Sequence, residues 1–463
     1  MMRAQAIDHA AMLPLYLAAA TAVAALFTGR FAKAASMTGL AAAAVAAVWI
    51  GVGPDRATFA VGEWHSYVAD DAAMGAAALF ASLAVLVAAI SGKQPGEYWF
   101  LLTASAAGGI ALAGARDLIT LVVAVETLTL PLYVLVTRPG RDGAEAGTTF
   151  LIASVTSSAT ALMGAALLYA ATGTVHLEGL ATALGGAHAG LTAAGTALLL
   201  AGLAFKLAAA PLHAWAPLVL ERAPLPVATY LASASKLGGA VAIVWVVAFG
   251  LPNTASAGLV VAVLAVASIA VGNLGALAQR RTVPLLAWSG IAHAGYALAP
   301  LAVVATAEGS EHVGAAASAA FAYAVFFVLL EAGVFAALTA VRTGDGGAVV
   351  DLGGLWKAAP LPAAVFLFAV IGLAGLPPAL AGTVAKVAVL EVLASSAVWL
   401  AVVVAAGAVV GLAYYLPLAR AVLTGRSGPV PRRYAVALAV AAVAVVAVSL
   451  APQLVLDFTS VSR

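Results

Sequence analysis

The stretch "LAFKLAAAPLHAWAP", residues 203–217, decides how the rest of the chain is read. It lies within an apolar run long enough to cross a bilayer, yet it carries Lys206, Pro211 and His213. A lysine at a helix centre costs about 2.5–3.5 kcal/mol to insert. Pro211 has no N–H, and its ring clashes with the carbonyl of Leu207, so the helix breaks just after the lysine. Irregular backbone at that depth survives only where protein or a water-filled cavity satisfies it. Charge and break together predict a hydrated path through a membrane.

Outward from this stretch the composition agrees. Of 463 residues, 64% are hydrophobic and 9% charged, against roughly a quarter charged in soluble domains. Apolar runs of about 20 residues recur from end to end. The reading is an all-α polytopic protein of fourteen spans, near 11–28, 36–53, 73–91, 97–115, 117–136, 148–171, 190–220, 223–249, 256–278, 282–305, 312–341, 361–396, 398–424 and 433–452. The seventh and twelfth spans are too long for one straight crossing, and both hold prolines. The first run lacks a convincing cleavage site and reads as a retained span. The chain has no cysteine, and its seven histidines lack paired metal-ligand spacing. This argues against disulfides, thiolate-bound clusters or a metal in this chain.

Basic residues are distributed unevenly. One set of alternate loops holds Arg30, Lys33, Lys93, Arg138, Arg141, Arg222, Arg280, Arg281, Arg342, Lys357, Arg420, Arg426, Arg432 and Arg433; the other holds Arg3, Arg56, Arg116 and Arg463. The positive-inside rule then puts both termini on the non-cytoplasmic side. Trp99, Trp356 and Trp399 sit near span ends, where amphipathic rings favour headgroups.

Six charged residues are read as lying at membrane depth, away from the span ends: Lys206, Lys236, Lys386, Glu126, Glu331 and Glu391. Three lysines with one or two glutamates would burden insertion by roughly 10 kcal/mol if unpaired. Ion pairs that lock helices together are one explanation. The other is a set of stations for a transferable proton, since burial lowers a lysine's pKa and a nearby carboxylate raises it again. Glu126 is the candidate partner of Lys206. Pro377 and Pro378 free the carbonyls of Leu373 and Ala374 in the span that carries Lys386. His293, well inside a span, and less so His213, are relay candidates.

At these residues the sequence resembles a known family. "VETLTLPLYVLV" (125–136), "FKLAAAPLHAWAPLVLERAPLPVATYLASASKLGG" (205–239), "LGALAQRRTVPLLAWSGIAHAGYALAPL" (274–301) and "LAGLPPALAGTVAKV" (373–387) resemble the antiporter-like subunits of complex I, the proton-pumping NADH-quinone oxidoreductase, and most of all its N-type subunit. The resemblance implies two inverted five-helix repeats with broken seventh and twelfth helices. They would span 97–249 and 256–424, after N-terminal helices in 1–96 and before a last helix in 425–463. It implies proton-transfer roles for Glu126, Lys206, Lys236, His293 and Lys386, with Glu331 and His213 as further candidates and Pro211, Pro377 and Pro378 as helix breaks. It implies a non-redox subunit of a translocase in the bacterial inner membrane, without cofactor or catalytic redox site of its own. Quinone, flavin and iron-sulfur clusters would reside in partner subunits, and the partners would be other membrane subunits and lipid, not nucleic acid. Three departures stand out: Thr148 where many N-type sequences have a lysine, Glu331 where a neutral residue is common, and one extra residue between the prolines and Lys386. A subunit of a multisubunit Na⁺/H⁺ antiporter or membrane-bound hydrogenase would share these motifs, and a structural subunit with a decayed path is a third reading.

Overall fold

The computed structural model describes residues 7–137, 141–342, 346–425 and 433–461. Arg3, Arg138, Arg426, Arg432 and Arg463, counted above as loop or tail charges, and Asp345 lie outside the described residues.

Ten helices among the described residues are long and apolar enough to cross a membrane. They are α2 within Gly29–Gly51, α3 Asp71–Ile90, α5 Leu118–Val136, α6 Arg141–Thr172, α7 Ala189–Leu207, α9 Leu225–Gly250, α10 Ala255–Leu277, α11 Thr282–Ala305, α12 Val313–Val341 and α15 Val398–Leu423. Between and around them run α1 Leu13–Phe27, α4 Gly96–Ala113, α8 Trp215–Arg222, α13 Pro360–Ala374, α14 Leu380–Ser396 and α16 Ala435–Leu450. The protein is a multi-pass membrane protein. α9, α11 and α12 are its buried centre, and apolar faces of α2, α6, α15 and α16 point outward.

The predicted seventh span is two helices, α7 and α8, separated by residues 208–214. The predicted twelfth is likewise α13 and α14, separated by 375–379. Ala208 and Gly375, at φ 60° and 79°, cap the first helix of each pair. A residue in the left-handed region there lets the chain turn off the helix axis. α5 starts where Asp117 accepts hydrogen bonds from the Ile119 and Thr120 amides at 2.8 Å. Asp70 does the same for α3 through Ala73 N at 2.7 Å; such caps satisfy otherwise orphaned donors.

The span reading left residues 54–72 as a loop. They fold into an antiparallel hairpin, β1 Arg56–Val61 with β2 Trp64–Ala69. Its edge is continued by the segment before α5 (Val68 N to Gly114 O, Arg116 N to Ser66 O) and then by residues 175–177. Arg116 is buried beneath this plate, paired with Asp70 at 2.8 Å and flanked by the rings of Trp245 and Phe249 at 4.7 and 4.6 Å.

One sequence expectation is corrected. Trp356 and Trp399 are exposed, but Trp99 is buried, its Nε1 donating to Gln94 O at 3.1 Å. Glu391 lies on an exposed face of α14, five residues before its end.

Candidate functional site

The charged residues inside the bundle form a chain of contacts. Lys206, in the last turn of α7 before the break, pairs with Glu126 of α5 at 3.0 Å and donates to Ser154 Oγ of α6 at 2.7 Å. Tyr133 Oη also donates to Ser154 Oγ, at 2.6 Å, and Ser158 donates to Glu126. Lys206 is almost wholly buried, whereas Glu126 retains 25% exposure. The acid thus lies at the flank of the bundle and the base inside it. α6 contributes these hydroxyls one helical turn apart.

Lys236 lies directly after a π-helical turn, Leu231–Ser235, within α9. Such bulges are frequent at functional sites. Gly239, one turn further on the same face, packs against the Lys206–Leu207 backbone. Its lack of a side chain is what lets α7 and α9 approach so closely. Lys236 Nζ stands 3.5 Å from Glu331 Oε1 of α12, with both side chains fully buried. Neither group makes a well-formed hydrogen bond among the described residues. Buried polar atoms are nearly always satisfied, so this pair retains capacity for further donors and acceptors.

Phe327, one turn before Glu331, links this pair to the next group. Its ring centre is 5.2 Å from Lys236 Nζ on one hand and 4.8 Å from the His293 ring, stacked parallel, on the other. His293 of α11 is held at both nitrogens: Nε2 is 3.0 Å from Tyr415 Oη and Nδ1 2.9 Å from Tyr323 Oη. Tyr415 packs on Tyr414, which donates to Asn273 Oδ1 at 3.0 Å, and Asn273 Nδ2 donates to Tyr296 Oη at 3.1 Å.

Lys386 of α14 reaches back across the second break. Its Nζ donates to Leu373 O and Ala374 O, 2.8 Å each. These are the two carbonyls that Pro377 and Pro378 cannot serve. His213 stands apart, within the first break, its ring 5.3 Å from that of Trp288. It joins none of these polar contacts among the described residues. Thr148 is on α6 near its start, and no charge stands there.

The sequence reading missed Ser154, Ser158 and Tyr133 in the first half, and Tyr323, Tyr415, Tyr414, Tyr296 and Asn273 in the second. All are polar groups within apolar helices, and that position was the available signal. Hydroxyls and phenols cost less to bury than charges, so they did not stand out beside lysines. Among the described residues no group of three or more His, Asp or Glu side chains is placed to hold a metal.

Comparison with known proteins gives the family in which this arrangement occurs here. The model of the family "NADH:quinone oxidoreductase/Mrp antiporter, TM" matches residues 115–411, which include every charged residue just described. NADH-quinone oxidoreductase subunit N of Salinispora tropica is 45% identical over 98% of this chain and 99% of its own length. A chain of respiratory complex I from Thermus thermophilus, solved with bound aureothin, superposes with a TM-score of 0.82 at 32% identity, covering 96% of this chain and 98% of that one. A chain of the Mrp complex from Dietzia sp. DQ12-45-1b has the same fold, TM-score 0.82, at 23% identity over 98% and 97%. The chain therefore belongs to the transmembrane NADH:quinone oxidoreductase/Mrp antiporter family.

Proposed function

We propose that the chain is a proton-translocating membrane subunit, of the N type, in an NADH-quinone oxidoreductase. The observation that carries this reading is the buried Lys236–Glu331 pair, flanked on one side by Lys206–Glu126 and on the other by His293, with Lys386 at the second break. The chain's likeness to subunit N relatives over nearly its full length supports the host complex. The Na⁺/H⁺ antiporter alternative is weaker: it has the family model, which covers both kinds of subunit, and the fold of an Mrp chain at 23% identity behind it.

In this reading a charge change in a neighbouring subunit acts first on Glu126, the member of its pair that reaches the flank. Two unit charges about 4 Å apart interact by about 4 kcal/mol at an effective dielectric near 20, enough to move a pKa by roughly three units. Lys206 then passes a proton through water to Lys236, whose free hydrogen-bonding capacity suits a hydrated path. His293, held between two phenols, and Lys386 carry it on. The chain supplies no redox step; quinone, flavin and iron-sulfur clusters belong to partner subunits of the bacterial inner-membrane complex.

Adding α1, α4, the two broken pairs and α16 to the other helices gives fourteen crossings, with both termini on the non-cytoplasmic side. The units 97–249 and 256–424 read as inverted repeats, and two matching backbone ladders support this. Leu118 N binds Val175 O and Leu177 N binds Arg116 O; Thr282 N binds Gly347 O and Val349 N binds Arg280 O. Each ladder ties the start of a unit's second helix to the segment after its third. Five crossings separate them, so they cap opposite faces.

The test is proton uptake by vesicles containing the assembled complex. Lys236→Ala should abolish translocation while the complex still assembles. Full translocation in that variant refutes the route.

A further inference from the structure

Two cavities joined at Ser82 form one groove between α2 and α3 on one side and α16 on the other. Its walls are apolar, with Val45, Leu79, Val85 and Val440 among them. The larger cavity, of about 710 Å³, ends at Lys33 and Tyr434; the other, of about 490 Å³, ends at Asp71 and Asp457. α3 has 20 residues and is about 30 Å long, so the basic and acidic ends lie a full hydrocarbon thickness apart.

We infer that this groove binds an anionic phospholipid from the leaflet at the Lys33 end, its acyl chains along α2 and α3 and its phosphate on Lys33. Lys33 Nζ donates to Ser91 O at 2.7 Å and Ala89 O at 3.4 Å, and lies 5.8 Å from the Trp99 ring. These contacts anchor the ammonium at the groove's mouth, where it stays half-buried. An ammonium has three donors, so one remains for a phosphate oxygen. Exposed Arg30, Lys93 and Arg433 flank the helix ends there and add attraction for negative headgroups. At the other end Asp71 and Asp457 repel them. Charge thus selects both the sign of the lipid and the end it enters. The identity of that leaflet as cytoplasmic rests on the orientation proposed above; the headgroup preference does not.

The test uses the assembled complex in membranes carrying trace phosphatidylglycerol or phosphatidylcholine with the same photoactivatable acyl chain, followed by peptide mass spectrometry. Phosphatidylglycerol should label peptides of α2, α3 and α16 around Val45, Val85 and Val440 about fivefold more than phosphatidylcholine, as expected for about 1 kcal/mol per basic group. Lys33→Gln should remove most of the excess and Lys33→Arg should keep it, both with unchanged proton translocation. Equal labelling by the two lipids, an excess undiminished by Lys33→Gln, or no labelling because a partner subunit's helix covers the groove each overturns the inference. The readout is independent of translocation. Its failure alongside an inactive Lys236→Ala complex would refute the lipid site and leave the proton path standing.

Discussion

Lys236 of α9 and Glu331 of α12 face each other 3.5 Å apart, neither side chain exposed to any degree. Removing one partner of a buried pair strands the other charge, at a cost of about 3–5 kcal/mol. Glu331→Leu and Lys236→Met should therefore each lower the thermal midpoint of the solubilised complex. The double variant should recover much of that loss and still fail to translocate protons. A double variant no more stable than the singles would mean that the two groups are not coupled.

The pair is also confined by the absence of a side chain. A Cβ at Gly290 of α11 would overlap Lys236 Nζ and come within 3.0 Å of Glu331 Oε1. Gly290→Ala should displace the ammonium, at an overpacking cost of about 1–3 kcal/mol, and slow translocation more than quinone reduction. Both rates can be measured on the same vesicles. Unchanged coupling in this variant would show that the position of Lys236 is not critical.

These relationships differ in how far the sequence discloses them. Lys206 and Pro211 disclose a break because charge and missing N–H are local properties, and Leu373 and Ala374 are identifiable as freed carbonyls by counting four residues back from the prolines. That Lys386 is the donor that takes them requires the two halves of the helix to fold past each other. The Glu126–Lys206 pairing was legible through charge. The choice of Glu331 for Lys236 was not, since it depends on the packing of α9 on α12. Arg116 was counted with the loop charges, but Asp70, Trp245 and Phe249, distant in sequence, draw it under the hairpin.

Ser154 joins Lys206 to Tyr133 and so determines where the ammonium points. Ser154→Ala leaves two buried donors short of one acceptor, worth about 1–3 kcal/mol. Lys206 should then lean wholly on Glu126, so translocation should fall, and Glu126→Gln in the same background should cost more than it does alone. Independent, fully additive effects of the two substitutions would separate Ser154 from the pair.

Orientation is open to a direct check because the natural chain has no cysteine. Glu63→Cys, at the exposed hairpin turn, should react with a membrane-impermeant maleimide on intact cells from outside. Lys93→Cys, in the turn between α3 and α4, should react only after permeabilisation. The reverse pattern would invert the topology and place the basic loops on the wrong side for the positive-inside rule.

The second break gives the sharpest test of a lysine's use of freed backbone. In an uninterrupted helix the amides of residues 377 and 378 would bind Leu373 O and Ala374 O; with proline at both positions, Lys386 Nζ holds those oxygens at 2.8 Å. Pro377→Ala with Pro378→Ala returns two N–H donors aimed at the same acceptors. Hydrogen bonds to a charged group contribute about 1.5–3 kcal/mol, so the competition is close and Lys386 should lose part of its anchorage. Hydrogen–deuterium exchange should slow across 375–379 as helix forms there, and translocation should drop. Lys386→Met should match that drop without the added protection. If the proline variant gains protection and still translocates at the parent rate, the carbonyl contacts of Lys386 are dispensable and only its charge matters.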